Sequence, residues 1–325
     1  MKVLVVGGAG YIGSHMVLAL HQAGHEVVTL DNLSTGHRDA VLAGEWVLGD
    51  LADPVALEAL FSGRRFEAVL HFASSIQVGE SVRQPLLYYQ NNVANTLNLL
   101  QAMVRHGVRR LIFSSTAALF GNPVRSRIDE THPRQPINPY GRSKWMVEQV
   151  LADADQAHGL RSICLRYFNA AGADPLARVG ERHEPETHLI PLVLQAASGR
   201  RSDISVHGTD YDTPDGTCVR DYIHVADLAE AHLLALETLA RKDSSDAFNL
   251  GNGNGYSVKQ VIDSVRRVTG RDVTVRHGPR REGDPAVLVA DSARAQALLD
   301  WRPRHADLDT IVNHAWRWEL RNLQS

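Results

Sequence analysis

Apolar residues in this chain fall into short runs that alternate with longer stretches of helical spacing. Val3-Leu4-Val5-Val6, Val27-Val28-Thr29-Leu30, Ala68-Val69-Leu70 and Leu111-Ile112-Phe113 are short and mostly β-branched or aromatic, with small or polar residues around them. Strands buried on both faces of a parallel sheet read this way. Positions 45–50 and 162–166 add two more strands, and helical patterning follows at 54–61, 86–106 and 139–158. In the second of these helices Val93, Leu97, Leu100 and Val104 recur at turn spacing. The order predicts an α/β fold, a doubly wound parallel Rossmann-type sheet with ligands beyond the carboxyl ends of its strands. Asp50, Phe72 to Ser74, Thr116 and Asn169 all fall at or just past such ends. After Asn169 the pattern loosens. Positions 173–191 read as a charged loop, and helices at 190–198, 226–241, 257–269 and 292–299, with another near the C-terminus, are joined by short strands near 204–207, 220–225 and 248–250. The expected division is 1–172 for a cofactor and 173–325 for a smaller α/β substrate domain, some of whose segments return to the first.

The first strand runs directly into Gly7, Gly10 and Gly13, and a helix then continues to Gly24, a plausible C-cap. In a strand–turn–helix of this kind one glycine allows the tight turn, one lets the backbone approach a pyrophosphate, and one lets helix pack on strand. The helix start then offers free N–H groups and its positive dipole end to the phosphates. Asp31 ends the second strand, eighteen positions beyond Gly13. A carboxylate there accepts both ribose hydroxyls and repels a 2′-phosphate, so the expected cofactor is NAD rather than NADP.

Composition narrows the class. The 325 residues are 44% hydrophobic and 22% charged, with a formal net charge of -3, which suits a soluble globular protein and offers no field for nucleic acid or an anionic membrane. Two cysteines, Cys164 and Cys218, make no disulfide framework, and no apolar run approaches a membrane span. The first strand leaves no room for a signal peptide, so a cytoplasmic location is expected.

The candidate chemistry lies in Pro139-Tyr140-Gly141-Arg142-Ser143-Lys144. Tyr140 and Lys144 are four apart on a predicted helix and share a face. A phenol can take a proton from a secondary alcohol once its pKa falls well below about 10, and a drop of 3 units needs roughly 4 kcal/mol. One ammonium near 4 Å at an effective dielectric of about 20 supplies about that much.

Taken together, Gly7-Gly8-Ala9-Gly10-Tyr11-Ile12-Gly13, Asp31-Asn32-Leu33, His71-Phe72-Ala73, Val78-Gly79-Glu80-Ser81, Tyr140 with Lys144, Arg166-Tyr167-Phe168-Asn169, Arg220-Asp221-Tyr222-Ile223-His224-Val225 and Arg280-Arg281-Glu282-Gly283-Asp284 give the chain a specific likeness. It resembles the extended short-chain dehydrogenase/reductase family, and within it the UDP-hexose 4-epimerases. The resemblance implies reversible inversion at C4 of UDP-galactose and UDP-glucose through a 4-keto sugar. Tyr140 would take the 4-hydroxyl proton, Thr116 would hydrogen-bond the same oxygen, and Lys144 would hold the nicotinamide ribose and depress Tyr140. It assigns Gly7, Gly10, Tyr11, Ile12, Gly13, Asp31, Asn32, Asp50, Leu51, Phe72, Ala73, Asn91, Lys144, Tyr167 and Phe168 to the cofactor. Thr116, Tyr140, Asn169, Leu189, Arg220, Arg281 and Asp284 would touch the substrate, the arginines on the diphosphate and Asp284 on the ribose. Guanidinium forks suit a diphosphate because they give paired charge-assisted bonds. A homodimer through the 86–106 and 139–158 helices is also implied.

Three positions depart from the family pattern: Ile76, where a basic or polar residue is common; His207, where an aromatic ring is common beside the uracil; and Leu288, intermediate between a bulky tyrosine that excludes N-acetylated sugars and a small residue that admits them. UDP-N-acetylhexosamine or UDP-pentose 4-epimerisation therefore stays open. A 4,6-dehydratase is disfavoured, because Ala117 and Ala118 follow Thr116 where that reaction needs an acidic pair. A non-catalytic NAD-binding sensor is the alternative of another class. His183 and His188 with Glu184 and Glu186 match no metal-ligand spacing, and the family reaction needs no metal, so none is expected.

Overall fold

The computed structural model describes residues 1–281 and 284–323. Its centre is a parallel sheet of seven strands. Six come in sequence: β1 (Lys2–Val6), β2 (Glu26–Asp31), β3 (Glu45–Leu48), β4 (Ala68–His71), β5 (Arg110–Thr116) and β6 (Arg161–Tyr167). β7 (Asn169–Ala171) leaves the sheet to pair with β10 (Tyr222–His224); β8 (Ile204–His207) pairs with β13 (Val275–Gly278); and β9 (Val219–Arg220) lies between β12 (Tyr256–Ser257) and β14 (Val287–Leu288). β11 (Asp246–Leu250), in the 173–325 portion, joins the main sheet beside β6 and gives the order β11-β6-β5-β4-β1-β2-β3. The order reverses between β4 and β1, so a crevice opens there beyond the carboxyl ends of the strands.

Helices α1 (Tyr11–Gln22), α2 (Pro54–Ser62), α3 (Val78–Arg83), α4 (Pro85–Tyr89), α5 (Asn95–Arg105) and α6 (Pro139–His158) belong to the first half of the chain. The second half carries α7 (Leu189–Ser198), α8 (Val225–Lys242), α9 (Val258–Thr269), α10 (Ala293–Leu299) and α11 (Leu308–Asn322). The apolar strand residues feed two layers. Val3, Val5 and Leu70 pack with α1 and α8 on one face, and Leu4, Val6 and Val69 pack with α2 and α5 on the other. A third cluster joins α7, α9 and α11 through Val193, Val261 and Val312. No helix among the described residues is long and apolar enough to cross a membrane.

Several boundaries differ from the sequence-based expectation. The third strand stops at Leu48: the bond from Gly49 N–H to the Asp31 carbonyl is the last rung of its ladder to β2, and Asp50 lies beyond it. The helix expected over 86–106 is three segments in succession, α4, a wide π-helical turn at Gln90–Ala94, and α5, with α3 ahead of it. The wide turn aims Asn91 and Asn92 at Ser75 beside the cofactor crevice, and such turns recur at functional sites. The extra residue rotates the face that follows it: Thr96, Leu99, Leu100 and Met103 are buried, while Leu97 and Val104 of the expected stripe are exposed. Gly24 stands one place past the cap residue Ala23, with φ 81°, the left-handed position that glycine fills at helix ends.

Trp301 is fully buried under α8 and donates its indole N–H to the Asp227 carbonyl at 2.9 Å. It is core, with no access to a ligand. Trp301→Ala is expected to cost about 3–5 kcal/mol, read as a lower urea midpoint with an unchanged slope.

Candidate active site and cofactor crevice

The glycine turn is built by close backbone approach. Gly7 has φ 80°, and a Cβ on it would lie 2.5 Å from Ala73 N, across the crevice on the segment after β4. A Cβ on Gly13 would lie 2.1 Å from the Gly7 carbonyl oxygen, so α1 can start against β1 only with glycine there. Gly10 is the N-cap of α1, and no side chain caps the helix. Its first N–H groups, at Tyr11 and Ile12, face the position where a pyrophosphate would satisfy them. Tyr11 also anchors the turn, its hydroxyl donating to the Gly172 carbonyl at 2.7 Å.

At the end of β2 Asp31 is buried and accepts from Ala9 N at 2.9 Å and Leu33 N at 2.8 Å. Its carboxylate is thereby aimed at the crevice beside the glycine turn. Asn32 donates to Asp50 at 2.8 Å, and Leu51 accepts from Asn98 at 2.9 Å, which pins the segment after β3 along the same side. Phe72 and Ala73 form the opposite wall, where the Phe72 ring lies 4.9 Å from the ring of His232. These residues fit NAD: a side-chain-free cradle for phosphates, and a fixed carboxylate one strand away for ribose hydroxyls. Ile76 is partly exposed and adds no polar group to the wall.

Thr116 is the last residue of β5, and Tyr140 and Lys144 lie on the first turns of α6, which Asn138 caps through a 2.8 Å bond from Gly141 N. The phenol of Tyr140 is buried beside Thr116; burial raises its pKa and the threonine hydroxyl opposes the rise. Lys144 is 2% exposed, and burial lowers its pKa to about 7, with Glu148 working the other way. Its ammonium donates to Ser74 Oγ at 2.7 Å and to the Ser114 carbonyl at 2.8 Å. The expected depression of Tyr140 by Lys144 is therefore not what the chain shows by itself. The lysine shares the helix face as predicted, but its long side chain reaches to the carboxyl end of β5 and to Ser74 instead of lying on the phenol.

Sequence reasoning named Asn91 and Tyr167 as cofactor contacts but missed the polar frame they belong to around this pair. Asn92 bridges Ser143 Oγ and the Ser75 carbonyl, both at 3.0 Å, while Asn91 donates to Ser75 Oγ at 3.1 Å. Tyr167 bonds Ser114. Under Lys144, Glu148 accepts from Ser115 at 2.6 Å and from Arg166 Nε at 2.9 Å, with both charged side chains less than 5% exposed. The signal available in the sequence was Glu148 one helical turn after Lys144, with Arg166 on the neighbouring strand.

The substrate candidates gather in a second cavity of about 200 Å³, lined in part by Asn169, Leu189, Arg220, Arg281 and Asp284. Leu189 opens α7, and Arg220 is tied to Asp284 by an ion pair. His207 lines the same cavity, while Leu288 packs with Phe168 and Trp145 around Phe120. Glu282 and Gly283 of the Arg280–Asp284 motif lie outside the described residues. Glu148→Gln would leave the Arg166 charge buried and uncompensated; the expected cost is about 3–5 kcal/mol, measured by denaturation, with urea unfolding followed at neutral pH.

Comparison with known proteins agrees with this geometry. Residues 3–251 match the family described as NAD dependent epimerase/dehydratase. The chain is 51% identical over 318 residues to the UDP-glucose 4-epimerase of Halalkalibacterium halodurans, covering 98% of this chain and 95% of that protein. Its fold superposes on the UDP-glucose 4-epimerase of Brucella ovis in complex with NAD, with TM-score 0.95, 49% identity and 97% of each chain covered. The enzyme from Bifidobacterium longum in complex with NAD+ and UDP gives TM-score 0.94 at 36% identity, over 99% of each chain. A cleft with a glycine cradle, a fixed acidic residue, a Tyr/Lys/Thr set and a cation-lined pocket on one α/β scaffold, matched over most of its length by that family model, makes the chain a member of the NAD-dependent epimerase/dehydratase family.

Proposed function

We propose that this chain interconverts UDP-glucose and UDP-galactose by NAD-dependent epimerisation at C4. The observation that carries the reading is the meeting of three sites in one fold: the glycine cradle with Asp31, the Tyr140–Thr116 pair at the end of β5, and the cavity holding Arg220 and Arg281. NAD, when bound, supplies the acceptor and donor of the C4 hydride. Tyr140 takes the 4-hydroxyl proton and later returns it, and Thr116 holds the same oxygen in line. A buried phenol with a raised pKa is a weak base, so deprotonation depends on positive charge brought close to it. Lys144 is the ammonium on hand, and a ribose between it and Tyr140 would redirect its donors from Ser74.

The second cavity supports the assignment of Asn169, Leu189, Arg220, Arg281 and Asp284 to the nucleotide end of the substrate. Two guanidinium groups matched to a diphosphate fix that end through charge-assisted bonds. A hexose held mainly through its UDP can present either face of C4. Division of labour follows the topology, with the cofactor on the β1–β6 portion and UDP on Asn169 and the 173–325 portion. Exposed apolar side chains at Val82, Leu86 and Leu87 on α3 and α4, with Met146 on α6, support a homodimer through this surface.

The test is turnover of UDP-galactose and UDP-N-acetylgalactosamine side by side, with no cofactor added. Conversion of the first is expected from retained NAD, and the ratio reads what Leu288 admits. Tyr140→Phe should keep its bound NAD and lose about 10²- to 10⁴-fold in kcat; normal turnover in that variant would remove Tyr140 as the base. Leu86→Asp combined with Met146→Glu is expected to convert the dimer to monomer in light scattering, and a wild-type monomer would refute the interface.

A further inference from the structure

Between β7 and α7 the chain folds back on itself and brings together four side chains that spacing alone does not connect. Glu181, His183, Glu186 and His188 each offer one ligand atom, and those atoms all lie within 4.8 Å of one another. Glu184, the nearer carboxylate in sequence, is not in the set; Glu181 takes its place. His183 Nδ1 lies 3.1 Å from Glu181 Oε1 and 3.7 Å from Glu186 Oε2. His188 Nδ1 lies 2.8 Å from Glu181 Oε1 and 3.0 Å from Glu186 Oε1. Both carboxylates are nearly sealed from solvent, at 6% and 5% exposure.

Two ring nitrogens and two carboxylates thus converge on one centre. A single N–H on each ring cannot bond well to two carboxylates at once, whereas a cation at the centre meets all four lone pairs. The charge balance agrees: two buried carboxylates demand two positive charges, and one divalent ion supplies both. We propose that Glu181, His183, Glu186 and His188 form a binding site for one divalent first-row transition cation, with Zn²⁺ the ion best suited to the set. Imidazole and carboxylate together are borderline ligands, and tetrahedral bonds of about 2.0–2.2 Å would place the four atoms roughly 3.4 Å apart. The existing separations, none above 4.8 Å, need to close by about 1.4 Å at most.

The position gives such an ion a structural role, independent of the epimerase reading. The Tyr11 ring of the cofactor turn packs edge-on to His183, with centroids 6.3 Å apart. Trp318 of α11 donates to the Glu181 carbonyl at 2.9 Å. His188 is the residue before α7, which opens with Leu189 in the substrate cavity. An ion at the centre would lock the segment that spans the cofactor turn and the substrate helix.

The competing account is closure by two protonated imidazoles. Burial opposes their charge, but Glu181 and Glu186 hold both rings above the ordinary histidine range. Metal titration separates the two. The full-length chain is stripped with EDTA, dialysed, and titrated with Zn²⁺ at pH 8 against a chromogenic chelator, with elemental analysis of the product. Uptake of one Zn²⁺ per chain with a rise in melting temperature is expected, as is loss of that uptake in Glu181→Gln/His183→Ala. Should the double variant misfold, Co²⁺ added to the wild type reports the site directly through the intense visible bands of a tetrahedral N/O environment. No uptake by the wild type, or the same uptake by a folded double variant, would overturn the proposal.

Discussion

Two backbones meet almost in contact where the order of the sheet reverses, and the rest of the molecule is arranged around that approach. β1 and β4 are neighbours whose following segments diverge, one into α1 and the other toward α3. Gly7 faces Ala73 so closely that a single Cβ would collide with the backbone, and Gly13 lies as tightly on the Gly7 carbonyl. Any larger residue would push the helix off the strand and close the crevice. Phosphate binding here is therefore a property of missing side chains, with the uncapped start of α1 providing the donors.

The chemistry at the end of β5 is carried by charge held out of water. Lys144 and the Glu148–Arg166 pair are buried beside one another, and each would be costly without its partners. Serines and asparagines from four different segments surround these charges with hydrogen bonds. Ser74 and Ser75 follow β4, Asn91 and Asn92 lie in the π-helical turn, Ser114 and Ser115 sit on β5, and Ser143 is on α6. In this network Lys144 is fixed to the carboxyl end of β5 in the chain by itself, and burial takes its pKa down to about 7. A charge poised in this way responds strongly to whatever anion or hydroxyl enters next to it, because the local dielectric is low. Tyr140, buried beside Thr116, stands where that response would be felt.

In the proposed reading, substrate recognition and chemistry draw largely on different halves of the chain. Short strand pairs, β7 with β10 and β9 between β12 and β14, bring Asn169, Arg220 and Leu288 close to the end of β6. Asp221 ties this region together. It is fully buried and its carboxylate accepts from Asn252, Gly253 and Ala290 backbone N–H groups at 2.8–3.0 Å. One carboxylate thus joins three loops beside the cavity lined by Arg220 and Arg281, and this is the substitute for a long hydrogen-bonded ladder.

Local patterning determined the parallel sheet, the glycine turn, Asp31 at its strand end and the Tyr140–Lys144 face of α6, since each depends on neighbours within a few residues and on strand or helix period. The same logic could not place the π-helical turn, the polar frame around Lys144 or the return of Asp246–Leu250 to the sheet, which arise from contacts between residues distant in sequence. Nor could spacing show that Glu181, rather than Glu184, lies with His183, Glu186 and His188, because a chain reversal, not a helix or strand period, sets that meeting. Sequence alone determined which chemistry the chain carries; tertiary structure decided which groups face one another, because long-range packing, unlike local period, chooses where a flexible side chain such as Lys144 finds its partners.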